Sequence, residues 1–419
     1  MTGGPATASS GDRAEEGRPV KVALYSGIVV ARDAVSWSLV HKLEALRALQ
    51  AQGAPIEVTV FTQSIDEPAP EFVVCPSVAK LLGRPEFWEA DVHIYEEGMY
   101  YELFDSIYLV PPDRPILAIE HNSTPVELVD VPAARLAVER SHAQRRNLVL
   151  ASHVACVSEL NVEMARSAGV DDSAISVLHL PPAIVPTRPP QPLSGHRGPV
   201  RLLYLGRFVR AKGVADMLEL VRRLVASDDG RFEVTLAGDP RFSDPGLMGE
   251  MEDARRAGWL DVVLAPDDRA MAELFEATDV LVIPSYHEGY CVPVVEAFGF
   301  GRFVVSYDSG NLATIVDGLG TVVPTGDVDA METAVLEVAG ALERARGGEP
   351  LVLPTGRGEM AEADWRRAVG VHLRDYSAAN FERRFLALLA DLVERSPAGL
   401  DARVAQAISV RLAELADVE

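Results

Sequence analysis

The residues best placed to do chemistry are two carboxylates eight positions apart, Glu288 and Glu296, in "PSYHEGYCVPVVEAFGFG", residues 284 to 301. "DVLVIPS" before them reads as a buried strand, and "PVVEAFGFG" as a helix starting at Pro293, where proline is preorganised for the first turn. "YHEGYC" then sits where a strand end faces the positive end of a helix, whose free N–H groups suit phosphate or sugar oxygens. A plainer reading stands beside this one: Glu296 favourably placed on a helix dipole and Glu288 a solvated loop acid. "YLGRFVRAKG" supplies Gly206, Arg207 and Lys212 after another apolar strand. Glycine there lets the backbone approach a ligand, and the two cations suit a diphosphate that gathers charge as its bond breaks. An ordinary turn with solvated charges fits as well. The segment is neither a phosphate-binding loop nor a dinucleotide fingerprint. His121 closes the strand of "ILAIEHNSTP", either facing a ligand or bonding locally, and alternation points its neighbour Glu120 the opposite way. Ser158 in "ACVSELNVEMARSAGV" reads as a helix cap.

These positions need strands that end together. "VKVALYSG", "IEVTVFTQ", "DVHIYEEG", "ILAIEHNSTP" and "HVACVSEL" alternate with helix-like stretches, beginning with "AVSWSLVHKLEALRALQAQG". That alternation predicts a parallel sheet covered by helices, with the first strand ending at Gly27. The proline-crowded segment 179–200 reads as a connector, and "VRLLYLGRF" restarts the pattern. The expectation is an α/β chain of two Rossmann-like domains facing each other across a cleft. The segments are a disordered tail (1–19), a first domain (20–180), a proline-rich linker (181–199), a second domain (200–374) and C-terminal helices (375–419). Ligands in such sheets bind beyond the carboxyl ends of the strands.

A chain of 419 residues, 48% of them apolar, has room for two cores. A formal charge of -23 argues against nucleic acid as a partner and against anionic lipid. A peripheral membrane contact is left open but not favoured. Cys75, Cys156 and Cys291 have no ligand-like spacing, so no disulfide scaffold or structural zinc is expected and the cytoplasm is the default location. The first twenty residues lack the pattern of a secretory signal.

As an ordered set, "LLYLGRFVRAKG", "LAGD" at 236–239, "ELFEATDVLVIPS" and "HEGYCVPVVEAFGFG" resemble the retaining, nucleotide-sugar-dependent glycosyltransferases of family four, which have the GT-B fold. The resemblance runs over roughly residues 20 to 390. It implies a donor held mainly by the second domain, with Arg207 and Lys212 on the diphosphate, Glu288 toward the donor sugar and Glu296 on the ribose. It further implies that Gly206, Gly289, Tyr290, Cys291 and Val292 line the donor through backbone, that Gly27 lets the first-strand loop approach the phosphates, and that His121 reaches the transferred sugar. The late helix from Tyr376 resembles the segment that crosses back onto the first domain.

The implied reaction moves a hexose-like group from a UDP- or GDP-sugar cosubstrate to a hydroxyl of a soluble small-molecule acceptor, without a cofactor or a required metal. The sequence departs from the family at Ser309, Gly310 and Asn311, where a double glycine is usual, and at Tyr290 and Cys291, where a bulkier lining is expected to restrict the donor pocket. Rival readings are an epimerase or pseudo-glycosyl coupling enzyme acting on a nucleotide sugar, and a noncatalytic sugar-nucleotide-binding module.

Overall fold

The computed structural model describes residues 18–416 apart from 31, 32, 68, 228, 229, 242 and 244. The tail expected over 1–19 therefore lies outside the described residues except for Arg18 and Pro19. Seven strands form the first sheet: β1 (Val20–Val29), β2 (Ile56–Ile65), β3 (Phe72–Val74), β4 (Val92–Glu97), β5 (Ile116–Glu120), β6 (His153–Cys156) and β7 (Ile175–Val177), in the order β3-β2-β1-β4-β5-β6-β7. Six form the second: β8 (Val200–Leu205), β9 (Phe232–Gly238), β10 (Asp261–Leu264), β11 (Val280–Ile283), β12 (Phe303–Tyr307) and β13 (Thr321–Val323), in the order β10-β9-β8-β11-β12-β13. Every pairing in both sheets is parallel. Helices cover the faces, so central strands such as "VLVI" of β11 are apolar at every position and fully buried. Strand order reverses between β1 and β4 and again between β8 and β11. Loops leaving the carboxyl ends part there and open a crevice.

Strand β1 runs two residues past Gly27, to Val29. Gly27 thus lies inside a strand, and a Cβ on it would stand 2.7 Å from the Tyr101 Cβ. Close packing of Tyr101, rather than a turn, is what requires glycine there. The helix Ala34–Ala51 is capped by the Asp33 carboxylate, which accepts from the Ser36 amide at 2.8 Å. Its buried face carries Leu39, Leu43, Leu46 and Leu49 with Lys42 among them.

Carbonyls of the proline-rich connector help fasten it to the second lobe, as proline accepts but does not donate, and the Leu193 amide adds a bond to Glu362 at 2.7 Å. Arg366 donates to Pro190 O (3.3 Å) and Gln191 O (2.7 Å), and buried Arg302 also reaches Gln191 O (3.3 Å). The helices Ala378–Arg395 and Ala402–Ala416 return to the first lobe and pack on the helix Ala34–Ala51, with Arg384 donating to Val177 O at 3.1 Å. Where the two crossings meet, the His179 and Tyr376 rings stack with centroids 4.6 Å apart. No helix among the described residues is long and apolar enough to cross a membrane.

Gly213 sets the geometry of the second lobe's crevice. It has φ +65°, and a Cβ on it would fall 1.7 Å from Pro284 O. The turn after β8 therefore touches the end of β11 directly, as only glycine permits. Gly213→Ala should lower stability by about 2 kcal/mol or more. A fall in the urea midpoint checks this, and an unchanged midpoint contradicts the close contact.

Candidate functional site

The Gly213 contact brings Lys212 to Glu288. Lys212 Nζ donates to Glu288 Oε2 at 2.7 Å, and Ser285 Oγ donates to Oε1 at 2.8 Å, so both carboxylate oxygens are engaged. Glu288 is 7% exposed, and the solvated loop acid is thereby set aside. Its carbonyl accepts from the Asn311 amide at 2.9 Å. Ser309 Oγ donates to Ser285 O at 2.5 Å. The departing triplet Ser309-Gly310-Asn311 is thus the wall that holds the Glu288 loop. Arg207 follows β8 and Gly206 on the same rim, exposed, with no hydrogen bond or ion pair from its guanidinium among the described residues. It lies near enough to Asp239, at the end of β9, to help hold that carboxylate below its ordinary range, after the larger effect of Arg241.

The helix expected at Pro293 begins at Val292, after Cys291 in the left-handed region (φ 78°), and no side chain caps it. Its positive end meets the same loop as Lys212. This combination favours a polyanion.

Glu296, expected on a ribose, accepts from the amide of Ile184 at 3.2 Å, in the connector. Burial pushes its carboxyl up to about 7, against the opposing pull of the Ile184 and Ala183 amides. The Tyr290 ring, expected to line the donor pocket, is turned the other way. Its hydroxyl donates to Leu180 O and its ring packs beside His179 and Tyr376. An aromatic side chain with one polar end satisfies both the apolar crossing point and a buried carbonyl.

On the facing lobe, His121 follows β5. Its Nε2 lies 2.7 Å from Glu96 Oε2, and Glu96 Oε1 lies 3.0 Å from Lys42 Nζ. Lys42 is 0% exposed and Glu96 1%. Desolvation pushes the Glu96 carboxyl up, but Lys42 and His121 together outweigh it and hold the group below its usual range. Glu97 and Glu120 are register partners on the opposite face of the sheet, both buried. Burial pushes Glu97 up to about 7 and Glu120 well above its ordinary value, the latter raised further by Glu97. Arg145 Nε stands 3.4 Å from Glu120 Oε1. His121 and Glu120 do point oppositely, as strand alternation requires.

The lobes touch across the crevice. Asn122, with φ 72°, places its Oδ1 3.2 Å from His287 Nε2. Ser158 caps the helix Glu159–Ser167 as expected and also donates to Gly289 O at 2.6 Å. A Cβ on Gly289 would stand 2.6 Å from the Asn122 Cβ. The structure therefore brings His121, Lys212, Glu288, Gly289 and the helix start at Val292 to one crevice with Arg207 on its rim, and leaves Gly27 in a strand and the Tyr290 side chain at the crossing. Lys42, Glu96, Asn122 and His287 were not singled out from sequence. A lysine on the apolar stripe of an amphipathic helix, and consecutive acids ending a buried strand in "IYEEG", were the available signals. Among the described residues no cluster of three or more His, Cys, Asp or Glu is grouped to hold a metal ion.

Residues 199–340 match the family model described as glycosyl transferases group 1. O-antigen chain mannosyltransferase B of Escherichia coli is 28% identical over 135 residues, which is 32% of this chain and 35% of that protein. D-inositol 3-phosphate glycosyltransferase 2 of Catenulispora acidiphila is 34% identical over 154 residues, covering 34% and 36%. The chain spans about a third of the length of these relatives. Among solved structures, sucrose-phosphate synthase from Thermosynechococcus elongatus superposes with a TM-score of 0.62 at 17% identity, covering 89% of this chain and 99% of that one. The Anabaena protein HepE, solved in complex with UDP-glucose, gives 0.60 at 15%, covering 88% and 99%. The chain has the GT-B fold, and its second lobe is related to the group 1 glycosyl transferases.

The Glu296 carboxyl holds its proton more tightly when folded, so it adds stability that is complete below its ordinary pKa of 4.5 and fades as pH rises through about 7. Glu296→Gln keeps an oxygen for the Ile184 amide but does not ionise. Its Tm should gain on the unsubstituted protein as pH goes from about 5 to about 8. Thermal melts across that range check the sign, and parallel curves contradict it.

Proposed function

We propose that this chain is a retaining glycosyltransferase that moves a sugar from a nucleoside diphosphate to a hydroxyl of a small soluble acceptor. The observation that carries the reading is the meeting of Lys212, Glu288 and the uncapped start of the helix Val292–Gly299 at the second lobe's switch point, opposite His121. Two units divide the work: 20–180 takes the acceptor and 200–374 holds the donor, with 181–199 as linker and 375–419 crossing back.

In this mechanism Arg207 and Lys212 bind the diphosphate, and Gly206 and the backbone of residues 289–292 approach it closely. The bond between the anomeric carbon and the phosphate oxygen breaks, and the electron pair leaves with the phosphate. Lys212 and the helix dipole stabilise that charge where it develops. The acceptor oxygen attacks from the same face and gives its proton to the departing phosphate oxygen, so configuration is retained and no protein nucleophile is needed. Glu288 keeps Lys212 in place and presents its carboxylate edge to the sugar. Glu296 exchanges its connector amide for ribose hydroxyls. His121 contacts the transferred sugar. Three buried free cysteines fit a reducing compartment, and we assign the protein to the cytoplasm.

The test is product analysis with labelled UDP- and GDP-sugars and a panel of soluble acceptors. A product carrying both donor sugar and acceptor supports transfer. Isomerised donor alone supports an epimerase, and tight binding without turnover across the panel supports a binding module. Lys212→Ala should lower kcat by about a hundredfold or more, whereas Glu296→Ala should mainly raise the donor KM. Near-normal turnover in the folded Lys212 variant removes its charge from the mechanism.

A further inference from the structure

His121 is held from behind by a group of buried polar atoms whose donors and acceptors have only one consistent arrangement. Glu96 Oε1 faces the Lys42 ammonium at 3.0 Å. Glu96 Oε2 faces Ser38 Oγ at 3.3 Å and His121 Nε2 at 2.7 Å. Lys42 in turn donates to Ser38 Oγ at 2.5 Å, which leaves the serine hydroxyl proton for Glu96. All three neighbours of the carboxylate are therefore donors, and an ionised carboxylate only accepts. The imidazole proton must sit on Nε2.

The other ring nitrogen, Nδ1, is buried and has no hydrogen-bond partner among the described residues. A buried polar atom left unpaired forfeits its hydration without compensation, so its persistence calls for an explanation. In the neutral ring that proton on Nε2 leaves Nδ1 a bare lone pair, on the residue that follows β5. It suits a ligand group that donates, and a sugar hydroxyl does.

The returning C-terminal helix closes this arrangement. Phe381 lays its ring 5.4 Å from Lys42 Nζ and packs against His41 at a centroid distance of 5.7 Å. Water is kept from the ion pair, and in that low-polarity setting its orientation of the ring is strong.

Resting on the transferase reading, we propose that Lys42 and Glu96 are positioning residues that fix His121 in the Nε2–H tautomer, so that Nδ1 accepts a hydrogen bond from a hydroxyl of the donor sugar. Donors lacking that hydroxyl are discriminated against by an unpaired buried lone pair. The logic is that of a metal-bound histidine, whose far nitrogen is set by the group behind it.

The experiment uses the full chain labelled with 15N-histidine, with His121 assigned by its loss in His121→Asn, and long-range 15N–1H correlations that separate protonated from bare ring nitrogens. Lys42→Met/Glu96→Leu removes both charges together and avoids stranding either one in the core. Lys42→Met/Glu96→Gln restores an acceptor oxygen for Nε2. The expected spectrum of the unsubstituted protein shows Nε2 protonated and Nδ1 bare. The Leu variant should show mixed tautomers and a fall in kcat/KM of at least about tenfold, with both largely rescued in the Gln variant. An Nδ1–H tautomer in the unsubstituted protein, or an unchanged tautomer in the Leu variant, overturns the positioning role. Adding a UDP- or GDP-hexose that binds should move the Nδ1 resonance. Binding that shifts other signals and leaves Nδ1 in place overturns the sugar contact. If no nucleotide sugar binds or is turned over, the transferase reading fails and the sugar contact with it, whereas the tautomer is still decided by the spectrum alone.

Discussion

The ion pair between Lys212 and Glu288 joins the two loops that leave β8 and β11, and the rest of the crevice is arranged around it. It forms because Gly213 lets the first loop press onto Pro284, and because Ser285 and the 309–311 turn hold the second loop from the other side. A cation fixed in this way is already oriented before any ligand arrives. Little rearrangement then remains when negative charge appears beside it, which is the circumstance in which electrostatic stabilisation is most effective. The uncapped helix start at Val292 adds a second fixed dipole to the same place.

Much of this was legible in the sequence because parallel α/β sheets announce themselves. Short apolar runs alternating with amphipathic stretches gave both sheets, and the chemistry-bearing residues fell at strand ends, where such folds put their sites. Other parts were hidden for identifiable reasons. Gly27 looked like a strand terminus, but glycine is also required wherever a neighbour crowds the backbone, and Tyr101 does so from far away in sequence. Tyr290 looked like a pocket wall because its neighbours are loop residues. Its direction is decided by His179, Leu180 and Tyr376, which no local pattern brings near it. Lys42 and Glu96 were passed over because a charge among leucines reads as an interruption until its partner, fifty-four positions on, is placed beside it.

Two polar systems occupy opposite faces of the first sheet at the same height. One is the charge-balanced Lys42–Glu96 pair under His121, and the other the Glu97–Glu120 carboxyls beside Arg145. Alternation along β4 separates adjacent glutamates into environments of opposite character: Glu96 has a full partner and stays ionised, whereas Glu97 shares one with Glu120 and holds its proton near neutrality. The same residue type, one position apart, thus serves two electrostatic purposes.

The chain passes between the lobes twice, and the passages meet where His179 stacks on Tyr376, with Tyr290 against both. Two tethers joined at one point behave as a pivot: rotation about the joint stretches neither of them, while sliding or twisting the lobes apart strains both. A swing about that joint is the displacement the two tethers resist least. Since Tyr290 and Glu296 belong to the loop after β11 and the helix that follows it, and grip the connector at Leu180 and Ile184, that loop is part of the axle itself. Whatever seats itself there acts on the swing at its fulcrum, with the whole span of a lobe as its lever arm.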